Sequence, residues 1–244
     1  MRMRKKKNGS RRIKNLSALF IENTEGNYNV TTSFADERPL RVEIGCGKGD
    51  FVRGISVSEP EFNYVALERI ADVVMSAVEK YAESRDLGHL APNGGWMTPD
   101  GEIYDDEMWN IPLADRGNVR FVCGEAKEFL AALPDSSVDS IYTNFSDPWP
   151  KKGYASRRLT HIDFLKVYAR VLKPGGMLKL KTDNDGLFEY SLESIAESDF
   201  KLVCHTYDLD SDENFANGNI ETEYERNFKS QGVKIKALRA VIEK

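Results

Sequence analysis

The chain is short of the residues that make covalent staples and metal centres. Its 244 residues include three cysteines, Cys46, Cys123 and Cys204, and three histidines. An odd cysteine count without Cys-x-x-Cys spacing excludes a disulfide framework and a clustered metal site, so reduced thiols and no metal are expected. No apolar run is long enough to span a bilayer, and the opening residues are basic without the apolar core of a signal peptide; the expected setting is the cytoplasm, with no membrane partner. Acids are missing from residues 1–14, which carry Arg2, Arg4, Lys5, Lys6, Lys7, Arg11, Arg12 and Lys14, a local +8. The whole chain has a formal net charge of −5, so the remainder carries −13. Residues 1–15 are therefore expected to form a flexible basic tail able to follow phosphates. Bases are nearly missing from residues 86–118, where seven acids face only Arg116. With three prolines, two tryptophans and no periodicity, this stretch reads as an insertion: either solvated and docked by its tryptophans, or a lid or partner-binding arm.

Residues 16–244, with the chain's 41% hydrophobic content, suffice for one sizeable α/β domain. Leu40–Ile44 reads as a strand running into Gly45-Cys-Gly-Lys-Gly49, with Asp50 opening a helix. Glycines between strand and helix let backbone approach a ligand closely. The Gly-x-Gly-x-Gly spacing is one residue shorter than the dinucleotide pattern, and no phosphate-cradling lysine loop surrounds Lys48. Glu43, just before the glycines, would repel a pyrophosphate and suits a ligand with positive charge, such as the amino group and sulfonium of S-adenosylmethionine. Tyr64–Glu68 is a second strand ending in an acid, placed to accept hydrogen bonds from ribose hydroxyls. Further strands are expected at Val119–Cys123, Val138–Phe145, Met177–Asp183, Phe200–Tyr207 and about Val233–Ile242, with helices near 70–81, 126–133, 160–172 and 187–197. The alternation implies a mostly parallel sheet with helices on both faces.

The stretch Ile141–Lys152 ends a β-branched strand in Ser-Asp-Pro-Trp-Pro-Lys-Lys. Two prolines within three residues stop pairing and restrict Asp147 and Trp149 toward extended backbone. A carboxylate, an aromatic and two cations on a stiff turn at the carboxyl end of a strand stand where open α/β sheets keep ligands. Trp149 is expected to pack mainly into the core. Residues 151–173 form a second basic region, net +6, with Lys151, Lys152, Arg157 and Arg158 at its start. An amino-methyltransferase would carry adjacent prolines before an aromatic, unlike Asp147-Pro-Trp-Pro.

From Leu40 to Tyr224 and beyond, the chain resembles the bacterial-type tRNA (guanine-N7)-methyltransferases. The resemblance is carried by Val42-Glu-Ile-Gly-Cys-Gly-Lys-Gly49, Asn144-Phe-Ser-Asp-Pro-Trp-Pro-Lys-Lys152 with Arg157-Arg-Leu-Thr160, Lys181-Thr-Asp-Asn184 and Thr222-Glu-Tyr-Glu225. It implies a Rossmann-like class I methyltransferase fold with a seven-stranded sheet, and methylation of N7 of guanosine 46 in the tRNA variable loop. It further implies that Glu43, Glu68 and Glu125, with Gly45, Gly47, Gly49 and Asp147, line the S-adenosylmethionine site. Asp147 would be the key active-site residue; Lys151, Asp183 and Thr222, Glu223, Tyr224 and Glu225 would contact the substrate, and Lys152, Arg157 and Arg158 the RNA. The partner is then tRNA, with the protein a monomer or a homodimer. Three departures stand out: Gly153–Ser156 replaces a more basic stretch, so RNA contacts there are expected to be fewer or redistributed; Glu125 stands where the family commonly has Asp; and the acidic insertion is longer than the family's connection.

Overall fold

The computed structural model describes residues 9–243. Seven strands form the main sheet: β1 Leu40–Ile44, β2 Asn63–Glu68, β3 Val119–Cys123, β4 Val138–Asn144, β5 Leu172–Thr182, β6 Phe200–Thr206 and β7 Lys236–Ile242, in the order β6-β7-β5-β4-β1-β2-β3. The helices are α1 Gly9–Asn15, α2 Asp50–Ser58, α3 Ala71–Ser84, α4 Ala126–Ala132, α5 Ile162–Val171, α6 Asp185–Ala196, α7 Glu213–Ala216 and α8 Glu223–Lys229. The described residues group into two compact units, 9–39 with Cys46–Phe129, and Leu40–Gly45 with 130–243.

In the first unit β2 and β3 run parallel, pairing Tyr64 with Val119 through Glu68 with Cys123. Val65, Ala66 and Phe121 are fully buried, as expected of parallel strands covered on both faces; each larger side chain contributes about 1.5–3 kcal/mol by leaving water. The acidic insertion is an ordered element. His89–Leu90, Trp96–Met97 and Ile103–Tyr104 make a small antiparallel sheet, and Trp96 is 1% exposed with its indole N–H on the Leu87 carbonyl at 2.7 Å.

The expected flexible tail is a helix where the structure describes it. In α1 the Arg12 guanidinium forks onto both oxygens of Glu79 at 2.7 Å. Arg11 lies 2.9 Å from Asp105 and Lys14 3.7 Å from Asp106, both acids of the insertion. The Asn15 side chain donates to the Tyr104 carbonyl, and the Trp109 amide donates to the Asn15 carbonyl. Long-range acids thus order a segment whose local sequence reads as solvated. Arg2, Arg4 and Lys5 to Lys7 lie outside the described residues.

In the second unit β4 runs parallel to both β1 and β5, whereas β7 is antiparallel to β5 and β6. Strand β5 starts earlier than its alternation predicts: Leu172 already pairs with Val138, and the register breaks across Lys173-Pro-Gly-Gly176 before Met177 pairs with Ser140. The break needs glycine at 176, because a Cβ there would stand 2.8 Å from the Lys173 carbonyl oxygen.

Candidate active site

In the first unit, β2 ends beside the glycine loop. Gly47 and Gly49 have φ of 55° and 78°, conformations that L side chains rarely adopt. A Cβ on Gly49 would meet the Ala77 Cβ at 2.8 Å, so this glycine lets α2 approach α3; a Cβ on Gly47 would meet nothing within 4 Å, so its backbone faces open space. The Glu68 carboxylate bridges this turn, accepting from the Gly47 amide at 3.3 Å and the Ile70 amide at 3.0 Å. Across the ladder stands Cys123, whose thiol is pushed up by burial and then by the Glu68 charge. Glu125 is exposed at the entry to α4, where its carbonyl accepts from the Phe129 amide.

In the second unit, Glu43 is 4% exposed on β1 and accepts from the Asn144 side chain at 3.4 Å. Gly45 follows at φ 77°. Strand β4 ends at Asn144, and the chain leaves it through two non-glycine residues of positive φ, Phe145 at 53° and Trp149 at 42°. The value at Trp149 corrects the extended backbone expected before Pro150. A bulky residue there costs about 1 kcal/mol or more and persists only where its surroundings hold it. Arg158 does so: its Nε donates to the carbonyls of Pro148 and Trp149 at 3.0 and 3.3 Å, and its Nη2 to Trp149 at 3.0 Å. Trp149 is also no core plug. It is half-buried, with the Arg157 guanidinium 4.8 Å over its ring and Tyr154 edge-on at 5.9 Å.

Asp147 is exposed on this turn and Asp183 half-buried just after β5. The Asp183 carbonyl accepts from the Lys236 ammonium at 3.1 Å, and the same ammonium pairs with Asp185 at 2.6 Å. Tyr224 joins these acids. Burial, then the charges of Asp183 and Asp147, raise its hydroxyl above the usual range. Its ring is half exposed and packs on Phe145 at 5.1 Å and Phe228 at 4.7 Å. Lys151 and Lys152 are exposed as the turn passes into a 3-10 helix over Lys152–Arg157, where the sequence reads as loop.

The segment 222–225 divides. The Thr222 hydroxyl caps α8 by accepting from the Glu225 amide at 3.0 Å, and Glu223 and Tyr224 are exposed. Glu225 is fully buried. Its carboxylate accepts from Lys181 at 2.7 Å and Asn219 at 2.8 Å and pairs with Lys229 at 2.9 Å. Burial alone would raise its carboxyl, but Lys181, Lys229 and Asn219 outweigh that and hold it below the ordinary 4.5. Lys181 is itself drawn down by burial, against the pull of Glu225 and Glu43. Sequence reasoning left Asn144, Lys181 and Lys236 without roles. A lysine facing inward on a strand is rarely buried unless paired, and that signal was legible at Lys181 and Lys236. Among the described residues no group of acids, histidines and cysteines could hold a metal ion, and no helix is long and apolar enough to cross a membrane.

Comparison with known proteins adds three findings. Residues 37–238 match the family model described as "Putative methyltransferase". The chain is 35% identical over 243 residues to the tRNA (guanine-N(7)-)-methyltransferase of Lactococcus lactis subsp. cremoris (strain SK11), covering 98% of this chain and 97% of that protein. It is also 35% identical over 243 residues to the protein of the same name in Listeria monocytogenes serotype 4b (strain F2365), covering 98% of both. Among solved structures it is similar to the 16S rRNA methyltransferase KamB, with a TM-score of 0.58 at 15% identity over 91% of this chain and 95% of that one. It is similar again to the 16S rRNA (adenine(1408)-N(1))-methyltransferase from Catenulisporales acidiphilia, with a TM-score of 0.52 at 17% identity over 86% and 88% of the two chains. At those identities the structural likeness shows the fold, a seven-stranded methyltransferase sheet.

Proposed function

The chain belongs to the tRNA (guanine-N7)-methyltransferase family, whose reaction is the methylation of guanine N7 in tRNA, and from that premise we propose that S-adenosylmethionine is its methyl donor, guanosine 46 of the variable loop its target, and Asp147 the residue that holds the guanine. The observation that carries the reading is the half-exposed ring of Tyr224 packed on Phe145, two residues before Asp147, where the charges of Asp183 and Asp147 act on its hydroxyl after burial.

The donor supplies, when bound, a methyl group activated by its sulfonium. The first unit fits such a ligand: the Gly47 backbone faces open space where a side chain would intrude, and the Glu68 carboxylate already receives two amides there, a geometry in which ribose hydroxyls can replace or join them. Gly49 and Glu125 complete this part of the proposal. Glu43, Gly45 and Asp147, in the second unit, keep the cofactor roles that the resemblance implies.

Guanine N7 carries an in-plane lone pair and no proton, so attack on the methyl needs no general base, and placing the ring is the main task of the protein. The opposite edge of guanine offers N1–H and the N2 amino group, two donors that one carboxylate can accept. Asp147 is exposed on a turn that has few backbone choices. An ionised carboxylate there also stabilises the ring as it becomes cationic during transfer. Asp183 is the second acceptor, held from its backbone by Lys236. Tyr224 offers an exposed ring for stacking on the extruded base, backed by Phe145 and Phe228. Glu225 acts through others, by fixing Lys181 and the start of α8. Lys151 and Lys152 supply phosphate contacts.

The test incubates the protein with unmodified tRNA and methyl-labelled S-adenosylmethionine, then digests the product. Label is expected in 7-methylguanosine at one variable-loop position, and Asp147→Ala is expected to lower the rate by about 100-fold or more with the fold intact. Label in another nucleoside, or wild-type rate and guanosine selectivity in Asp147→Ala, would overturn the reading.

A further inference from the structure

We propose that Arg158 is a positioning residue for methyl transfer: its guanidinium clasps the turn that bears Asp147 by two main-chain carbonyls, and so sets where the Asp147 carboxylate stands. The inference rests on the reading of Asp147 given above and reassigns a residue that the sequence places among the RNA contacts.

The turn cannot fix itself. Pro148 and Pro150 have no amide hydrogen to give, and Trp149 between them holds a φ of 42° that its own backbone disfavours. The missing hold comes from Arg158, through the three hydrogen bonds of 3.0–3.3 Å to Pro148 and Trp149. Arg158 is anchored in turn. Its amide donates to the Ala155 carbonyl at 3.0 Å, closing the 3-10 helix, and its guanidinium lies 4.2 Å over the ring of Tyr190 on α6. The turn is thereby referred to a helix of the second unit and not left to solvent.

The neighbouring arginine behaves differently. Arg157 is exposed and stacks on Trp149 and Tyr154 at 4.8 and 4.7 Å, so the paired arginines of the sequence have separate tasks. A planar fork that binds two carbonyls and stacks on a ring is a use that lysine cannot reproduce, whereas a phosphate contact accepts either cation.

The experiment compares the full chain with Arg158→Lys and Arg158→Ala by three readings: the single-turnover rate on unmodified tRNA, the tRNA Kd with its salt slope, and hydrogen exchange of peptides covering residues 145–152. The expected result for Arg158→Lys is a rate lower by about tenfold or more, an unchanged tRNA Kd and salt slope, and faster exchange confined to the turn. Arg158→Ala should behave the same or worse; if it loses its fold, the lysine variant carries the test. A wild-type rate in Arg158→Lys would overturn the proposal. So would a deficit in Arg158→Ala that appears as weaker tRNA binding with a shallower salt slope while turn exchange stays unchanged. In an Asp147→Asn background the lysine substitution should cost almost nothing further, and a full further loss would overturn the route through Asp147. Asp147→Asn alone at the wild-type rate would remove the parent reading, and would be seen before Arg158 is touched.

Discussion

Two stretches of the chain are dense in positive charge, and the fold uses them in opposite ways. In α1 the cations face acids: Arg12 on Glu79, Arg11 beside Asp105, Lys14 beside Asp106. Over residues 151–158 they face rings and carbonyls, Arg157 on Trp149 and Tyr154, Arg158 on the turn, while Lys151 and Lys152 project into solvent; only farther on does Arg170 pair with an acid, Asp135. A charge run in a sequence therefore says nothing about which cations a polyanion can reach. What decides is whether acids distant in sequence come within reach, and the insertion of residues 86–118 brings two of them.

On that contrast, removing a cation of α1 should register in stability, and removing the solvent-facing lysines of the second stretch in tRNA binding. The largest effect is expected outside both, at the buried pair that sets the scale. Glu225→Gln leaves Lys181 poorly compensated and should cost about 3 kcal/mol in urea unfolding. Because the folded carboxyl of Glu225 is held below 4.5, its contribution is fully present above that pH and is lost as pH falls through the lower folded value. Wild-type stability measured from pH 7 to 3 should thus drop more steeply than that of Glu225→Gln. Next, Arg12→Ala removes a forked pair to a buried carboxylate and should destabilise by about 2 kcal/mol, with tRNA affinity per folded molecule unchanged; weaker binding at equal stability would break the contrast. Third, Lys151→Ala with Lys152→Ala should leave urea unfolding unchanged but weaken tRNA binding and lower its salt slope, on the order of 0.7–0.9 for each phosphate that is no longer neutralised. The smallest effect belongs to Lys14→Ala, an exposed pair at 3.7 Å, where less than about 0.5 kcal/mol is expected.

Much of the sheet was legible because its signals are local. Leu40–Ile44 and Val119–Cys123 are short stretches rich in β-branched and apolar residues, stopped by glycines, and both are strands with those limits. The three glycines 45, 47 and 49 all take positive φ, as a tight strand-to-helix turn requires. The failures come from elements too short to show a pattern and from partners that the local sequence does not reveal. The insertion's strands are two residues each, too short to show alternation. Helix α1 is ordered by partners 67 to 94 positions away. Glu225 sits in a motif that reads as a ligand contact, and its pairing with Lys181, 44 positions earlier, is not visible there. At Trp149 the local rule for a residue before proline is right about preference, and Arg158 overrides it.

Strand β7 is the last of the seven to leave the ribosome, yet it lies between β5 and β6. Until it arrives, β6 lacks its antiparallel partner and the Asp183 carbonyl lacks the Lys236 ammonium. Domains acquire their structure as synthesis proceeds, so the glycine loop and the Asp147 turn are made long before the element that completes the acidic side of the site. Translation stopped short of residue 236 would yield chains that possess every residue proposed to meet the cofactor and the base, but lack the strand that joins β5 to β6 and the ammonium on the Asp183 carbonyl.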